Sequence, residues 1–264
     1  MVNDLGGSIE GEGADRGPAH TAAEEITAAG GVAIADTSDI ATGGGAQALI
    51  DTAVERFGRV DIVVNNAGIM RWARFPDLDE ADFERHFAVH TRGSFLTARA
   101  AWPHMVGQGH GRIVMTASAG MFGLPANTSY ASAKGGVVGL ARSLSTAGAR
   151  RGIKVNVIAP AAMTRMAGAD SDDDRGMPPE LVAPMAAYLA HDDCPVTGEI
   201  YAAGAGRFSR IFIASTPGFV AGPSATIEDV AGHWAEINDE TGYSVPADLT
   251  AWSAAFTAHL APRP

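Results

Sequence analysis

Apolar positions along this chain fall into two alternating rhythms. Short runs rich in β-branched residues read as strands: VAIAD at 32–36, VDIVV at 60–64, RIVMTA at 112–117, KVNVIA at 154–159 and EIYAA at 199–203. Between them lie longer stretches, at 18–31, 45–58, about 79–105, 128–150 and 180–190, that read as helices. The punctuation agrees. Pro18 sits in the first turn of the first helix, Gly30-Gly31 and Gly58 stop the first two, and the acidic turn Asp77-Leu78-Asp79-Glu80 opens the third. The β-branched content of VDIVV predicts a fully buried strand.

Strands that alternate with helices build a parallel sheet with helices on both faces, a doubly wound α/β fold. Ligands of such sheets bind beyond the carboxyl ends of the strands. Asn65, Ser118 and Pro160 each fall just past a strand, so the arrangement points there.

Composition narrows the function classes. The chain has 264 residues, enough for one or two domains, and 46% of them are apolar. A formal net charge of −11 argues against nucleic acid or an anionic membrane as partner. No apolar stretch approaches about 18 residues, and no signal-peptide pattern opens the chain. Cys194 is the single cysteine, which excludes an internal disulfide framework, and it reads as a small buried side chain. A cytoplasmic protein is the expectation. Past Gly206 the pattern changes: 225–240 and 250–260 read as amphipathic helices carrying Trp234, Trp252 and Phe256. The expected division is a core over 1–206 and a helical extension over 207–264, packed on the core or on a partner subunit. A homodimer or homotetramer is expected.

The chemistry is carried by Tyr130 and Lys134, four residues apart in NTSYASAKGG. On a helix this spacing puts both on one face, within reach of one site. The phenol can act as general acid or base, and the ammonium favours the phenolate. Asp170, Asp172, Asp173 and Asp174 form an acidic tip in the polar segment 161–179, but they lack the spacing of a metal site, so no metal is expected.

Three motifs carry a resemblance: Asn65-Asn66-Ala67-Gly68 after a strand, Tyr130-x-x-x-Lys134, and Pro160 followed by Thr164. Together, over about 2–206, the chain resembles the short-chain dehydrogenase/reductase family. The segments VNDLGGSIEGEG, 89–105 and 181–206 are similar to the (3R)-hydroxyacyl-CoA dehydrogenase unit of peroxisomal multifunctional enzymes and its bacterial relatives. The resemblance implies hydride exchange between NAD(H) and a secondary alcohol or ketone, with a 3-hydroxyacyl-CoA as leading substrate and a small or hydrophobic alcohol close behind. It implies Tyr130 as the proton donor or acceptor, Lys134 on the nicotinamide ribose, and His90 in the proton path at a position where most of the family carries asparagine. Asn65, Ala67 and Gly68 would lie beside the adenosine, Asp39 and Ile40 beside the adenine, and Pro160, Ala161 and Thr164 beside the nicotinamide. Asp4 would take the adenosine ribose hydroxyls, which favours NAD over NADP. Asp4 as a plain turn residue, and His90 as a plain packed one, remain the alternatives.

Two departures stand against this pattern. Asp4 is the fourth residue, so the first strand of a dinucleotide fold and its glycine-rich turn do not precede it. Gly43-Gly44-Gly45 lacks the spacing of that turn, and in Gly6 to Gly13 the side chains of Glu10 and Glu12 would repel a pyrophosphate; both read as loops. Either the chain begins inside the fold, or it is a shortened relative that binds no dinucleotide and serves as a partner subunit. The second departure is Ala117, where the family's catalytic serine is expected. Ser118 and Thr116 flank it, and Ser118 either takes the serine's place or only bonds the loop backbone.

Overall fold

The computed structural model describes residues 1–13, 15, 17–167 and 176–260 and divides into two compact units, Met1–Arg210 and Ile211–Pro264. The acidic tip at 170–174 lies outside the described residues.

The first unit is built on two ladders. Strands β1 (Val2–Asn3) and β2 (Ala35–Asp36) pair with each other, in parallel. Strands β3 (Ile62–Asn65), β4 (Gly111–Thr116), β5 (Ile153–Pro160), β6 (Ile200–Gly204) and β7 (Arg207–Ile211) form a second sheet in that order, parallel from β3 to β6. The helices between them are α1 (Gly17–Ala28), α2 (Gly43–Phe57), α3 (Glu80–His86), α4 (Gly93–Gln108), α5 (Thr128–Gly148) and α6 (Ala183–Ala190). This is the expected doubly wound α/β fold, interrupted between β1 and β3.

Burial follows the strand pairing. Strands β4 and β5 have partners on both edges, and Val114, Met115, Val155 and Val157 are wholly buried. Val114 and Ile158 meet Leu189, Ala190 and Cys194 in one core cluster, while α5 packs along β5. Cys194 is a free, buried thiol. Strand β3 departs from its expected full burial: Ile62 and Val64 are each 50% exposed. It pairs with β4 on one edge only, so both side chains stay open to water on the other flank. The strand expected at 32–36 shrinks to Ala35–Asp36 for the same reason, since β2 has only the two residues of β1 to pair with.

Both ladders send their carboxyl ends to the same place. The loop after β1 lies against the loop after β3: Met70 N–H donates to Ile9 O at 2.7 Å, Arg71 Nε to Glu10 O at 2.7 Å, and Arg85 to Gly11 O at 3.1 Å. On the other side Ile40, past β2, packs against Gly93 of α4, where an added Cβ would come within 2.3 Å of Ile40 Cδ1.

Two helix readings change. The glycines at 43–45 are the first turn of α2 rather than a loop, because Thr42 caps it by accepting the Gly45 N–H at 3.0 Å. The long helix expected over 79–105 is α3 and α4 joined by a π-turn, Phe87–Arg92. Such turns recur at functional sites.

Past Gly206 the chain first returns as β7 through a two-residue turn, Ala205 and Gly206, both with positive φ. The helical extension therefore begins later than 207. In the second unit α7 (Ile227–Gly232), α8 (Trp234–Ile237) and α9 (Leu249–Phe256) are short. A capping box between Thr226 and Asp229 starts α7, and Phe219 stacks on His233 at 3.6 Å. Among its described residues none is fully buried, and Trp234 and Phe256 are exposed.

Candidate active site

The carboxyl ends of β3, β4 and β5 and the first turns of α5 converge on one buried cluster. Asn127 caps α5, its Oδ1 accepting the Tyr130 N–H at 3.1 Å, and this fixes where the tyrosine leaves the helix. One turn on, Lys134 is 3% exposed and its Nζ donates to Thr116 O at 2.7 Å. Nζ lies 5.5 Å from the centroid of the Tyr130 ring. The i, i+4 spacing has done what helix geometry demands.

Strand alternation turns Ala117 away from its two hydroxyl neighbours, and their partners tell those two apart. Ala117 is wholly buried in the core, and its N–H donates to Ile158 O at 2.8 Å. Thr116 Oγ1 donates to Asn66 Oδ1 at 3.2 Å, whereas Ser118 stands close enough to the Tyr130 phenol to pull its pKa down. Ser118 also accepts the Gly120 N–H at 3.0 Å, so the hydroxyl serves the loop as well as the phenol. The β4–β5 ladder ends where Thr116 pairs with Ile158.

Burial pushes the Tyr130 phenol above its ordinary value, against a downward pull from Ser118. Burial also draws Lys134 down to about 7. The expected lowering of the phenol by Lys134 is therefore not what sets it here. At neutral pH the lysine is only partly charged, and its Nζ is turned to the Thr116 carbonyl.

His90, in the π-turn, completes one wall of the site. It is 2% exposed, and its ring meets Tyr130 edge-on at 5.2 Å. Its Nε2 lies 2.9 Å from Ile69 O and 3.3 Å from Ile69 N, whereas its buried Nδ1 has no hydrogen-bond partner. Burial first, then the Lys134 charge, hold His90 well below the ordinary imidazole value, so it stays neutral. Gly68 makes room for this ring: a Cβ there would lie 2.7 Å from His90 Cε1. Asn65 is turned away from the cleft, its Oδ1 accepting from Thr97 Oγ1 at 2.6 Å. What the Asn65–Gly68 turn offers a ligand is its backbone and its glycine, rather than that amide.

The remaining predicted residues stand further out. Ala161 N–H donates to Ala203 O at 2.8 Å and follows Pro160 at the end of β5; Thr164 is exposed. Asp4, Asp39 and Ile40 lie past β1 and β2. Asp4 accepts the Gly6 N–H at 2.7 Å and Asp39 the Ala41 N–H at 2.9 Å, each closing its own turn. Three contributors carry no motif. Thr116, through its carbonyl, and Asn127, as a cap, act through backbone geometry, and His86 is wholly buried one turn before His90. Only Asn127 had a sequence signal, a polar capping residue just before a helical stretch.

A nicotinamide dinucleotide can be tested against these residues. The reactive end fits: a buried lysine with donors to spare, a phenol, and a glycine-relieved turn stand together. The glycine-rich loop after β1 does not fit a pyrophosphate. Its own carbonyls take up the N–H groups of Gly11, Ser8 and Asp15, Glu10 O and Gly11 O face Arg71 and Arg85, and the Glu12 carboxylate pairs with Arg71 at 3.4 Å. Among the described residues no group of three or more His, Cys, Asp or Glu side chains is placed to hold a metal.

Fold and cluster together define an oxidoreductase, and the chain belongs to the short-chain dehydrogenase/reductase family: a family profile described as short chain dehydrogenase matches residues 13–175. That membership implies a nicotinamide dinucleotide as cofactor. Among its relatives is a Mycobacterium tuberculosis protein named as a short-chain type dehydrogenase/reductase, 38% identical over 248 residues, covering 93% of this chain and 87% of the relative. The peroxisomal multifunctional enzyme type 2 of Drosophila melanogaster is 39% identical over 246 residues, covering 90% of this chain but 41% of that enzyme. The crystal structure of a short chain dehydrogenase from Mycobacterium avium superposes with a TM-score of 0.78 at 34% identity, covering 89% of this chain and 84% of that one. The chain is thus related to the dehydrogenase unit of the peroxisomal enzymes and spans between 27% and 56% of their length.

Proposed function

We propose that this chain exchanges a hydride between NAD(H) and a secondary alcohol or ketone, with a 3-hydroxyacyl-CoA as leading substrate and a small or hydrophobic alcohol as second. The observation that carries the reading is the buried pair Tyr130 and Lys134, with the half-buried Ser118 beside the phenol. The dinucleotide, when bound, supplies or accepts the hydride. Tyr130 gives its phenolic proton to the substrate oxygen in reduction and takes it back in oxidation. Ser118 donates to that same oxygen and steadies the charge that develops on it. Lys134 would hold the nicotinamide ribose. His90 orders the proton path behind the phenol. Pro160, Ala161 and Thr164 border the nicotinamide, the Asn65–Gly68 turn with Asp39 and Ile40 borders the adenosine, and Asp4 selects NAD over NADP.

Several observations support the finer points. The kinship with peroxisomal multifunctional enzymes favours the acyl-CoA substrate. A groove lined by Phe87, Thr91, Phe95 and Leu140 on the outer side of the π-turn, α4 and α5 favours a homodimer. A cytoplasmic location belongs to the same reading.

A second reading is favoured by the interrupted sheet and the folded-up loop after β1: the chain binds no dinucleotide and acts as a partner subunit. NADH calorimetry with a thermal-shift control separates the two. A ligand that binds only the folded state raises its melting temperature by mass action. Saturable binding with a raised Tm is expected; a folded chain with neither contradicts the dehydrogenase reading.

A further inference from the structure

His86 carries no motif, yet it is wholly buried at the last residue of α3, where three separate segments meet. The Arg71 main-chain N–H donates to its Nε2 at 3.2 Å. A backbone N–H can only donate, so Nε2 must be the unprotonated nitrogen and Nδ1 must carry the proton. That Nδ1–H faces Asp82 O at 2.8 Å and Ser129 Oγ at 3.0 Å. Ser129 in turn donates to Asn127 Oδ1 at 3.2 Å, the same oxygen that accepts the Tyr130 N–H. Asn127 Nδ2 closes the ring by donating to Arg71 O at 2.7 Å.

The circuit therefore runs from the loop after β3, through His86, to the first turn of α5 and back to the same loop. All three side chains in it, His86, Ser129 and Asn127, are fully buried. Each is fixed by partners it cannot exchange for water, and buried networks of this kind hold one arrangement when every member is satisfied. The His86 ring stacks nearly parallel to His90, with centroids 6.0 Å apart, and meets Tyr130 edge-on at 6.1 Å. The wall behind the phenol is thus two imidazoles deep.

We propose that His86 is a positioning residue for Tyr130: as a neutral, Nδ1-protonated imidazole it locks the first turn of α5 to the loop after β3 and so sets the direction of the phenol. This rests on Tyr130 being the acid–base group. Placing a second proton on Nε2 would set N–H against the Arg71 N–H and open the circuit. The charged and titratable groups around His86 are Asp82 on its own helix, Arg71 on the loop, His90 in the π-turn, and Lys134 and Tyr130 on α5. Burial outweighs the pull of the Asp82 carbonyl and carboxylate and, with the Arg71 and Lys134 charges, keeps the ring neutral.

The test has one readout that needs no turnover. Nitrogen-15 NMR of the histidine rings in the whole chain should show one buried histidine held as the Nδ1–H tautomer from pH 8 to below 6, lost in His86→Gln. The opposite tautomer, or an ordinary titration near 6.5, overturns the proposal. Where the wild type turns over substrate, His86→Leu should lower kcat tenfold or more, on the order of what a small misplacement of a reacting group costs, with KM within a factor of about two. His86→Gln, whose amide oxygen can accept the Arg71 N–H without titrating, should recover most of that loss and flatten the acid limb of the pH profile. An unchanged kcat in a folded His86→Leu protein overturns the proposal. A wild type inactive on every substrate contradicts the dehydrogenase reading instead, and leaves the tautomer measurement to decide on the circuit.

Discussion

Lys134 is held where burial costs it most, and this makes the site visible in the pH dependence of stability. Its ordinary value of 10.5 falls to about 7 in the folded chain. Between those values the unfolded chain binds a proton that the folded chain does not, so the lysine's contribution to stability rises with pH from 7 to 10.5 and is least below 7. Denaturant melts of the wild type against Lys134→Met across that range should show the difference, and parallel curves would contradict it. His86 and His90, both lowered by burial, add an acid-side loss of stability that sets in below about 6.5. Gly68→Ala should destabilise by about 1–3 kcal/mol, because a Cβ 2.7 Å from His90 Cε1 forces the ring to move. Ser118→Ala should cost on the order of 100-fold in kcat, and Ala117→Ser should not restore it, since residue 117 faces the core. At this scale the Tyr130–Lys134 pair was legible because helix periodicity alone brings it together. The Thr116 carbonyl and His86 were not, because their roles arise only when segments at 71, 82, 116 and 129 meet.

Among the elements, position in the sheet decides what a strand is worth. Val157→Ala on β5 should cost about 2 kcal/mol or more, since that side chain is wholly buried between two neighbouring strands; Val64→Ala on β3 should cost less than half as much. Urea denaturation compares them directly, and equal losses would contradict the one-sided pairing of β3. The sequence pattern could not show this. VDIVV has the composition of a central strand, and its exposure depends on what lies beside it. The π-turn at Phe87–Arg92 was equally hidden, because it keeps the apolar face of the helix continuous while adding a residue to one turn. Strands β4 and β5, with partners on both edges, match their sequence patterns over nearly their full length.

For the molecule as a whole, alternation of strand and helix specified the doubly wound sheet, and the motif order specified the family. The second unit was less legible. Its apolar residues have a helical pattern, yet the helices are short and none of its described residues is fully buried, so the pattern registers surface that a partner can cover. Sedimentation equilibrium should give twice 27.1 kDa for the proposed homodimer, and Phe95→Glu, in the groove beside the π-turn, should shift it toward the monomer. A wild-type mass of 27.1 kDa at micromolar concentration would contradict the dimer.

In the proposed reaction Tyr130 transfers a proton, with Ser118 and Lys134 beside it, while a nicotinamide exchanges a hydride. The direct measurement is oxidation of NADH by the 264-residue chain with a 3-oxoacyl-CoA, compared with its Tyr130→Phe variant. Turnover is expected, and the variant should lose it by at least about 100-fold, as when a general acid is removed while the fold and the NADH affinity are kept. Equal rates in the two proteins, or no turnover by a folded wild type that binds NADH, would contradict it.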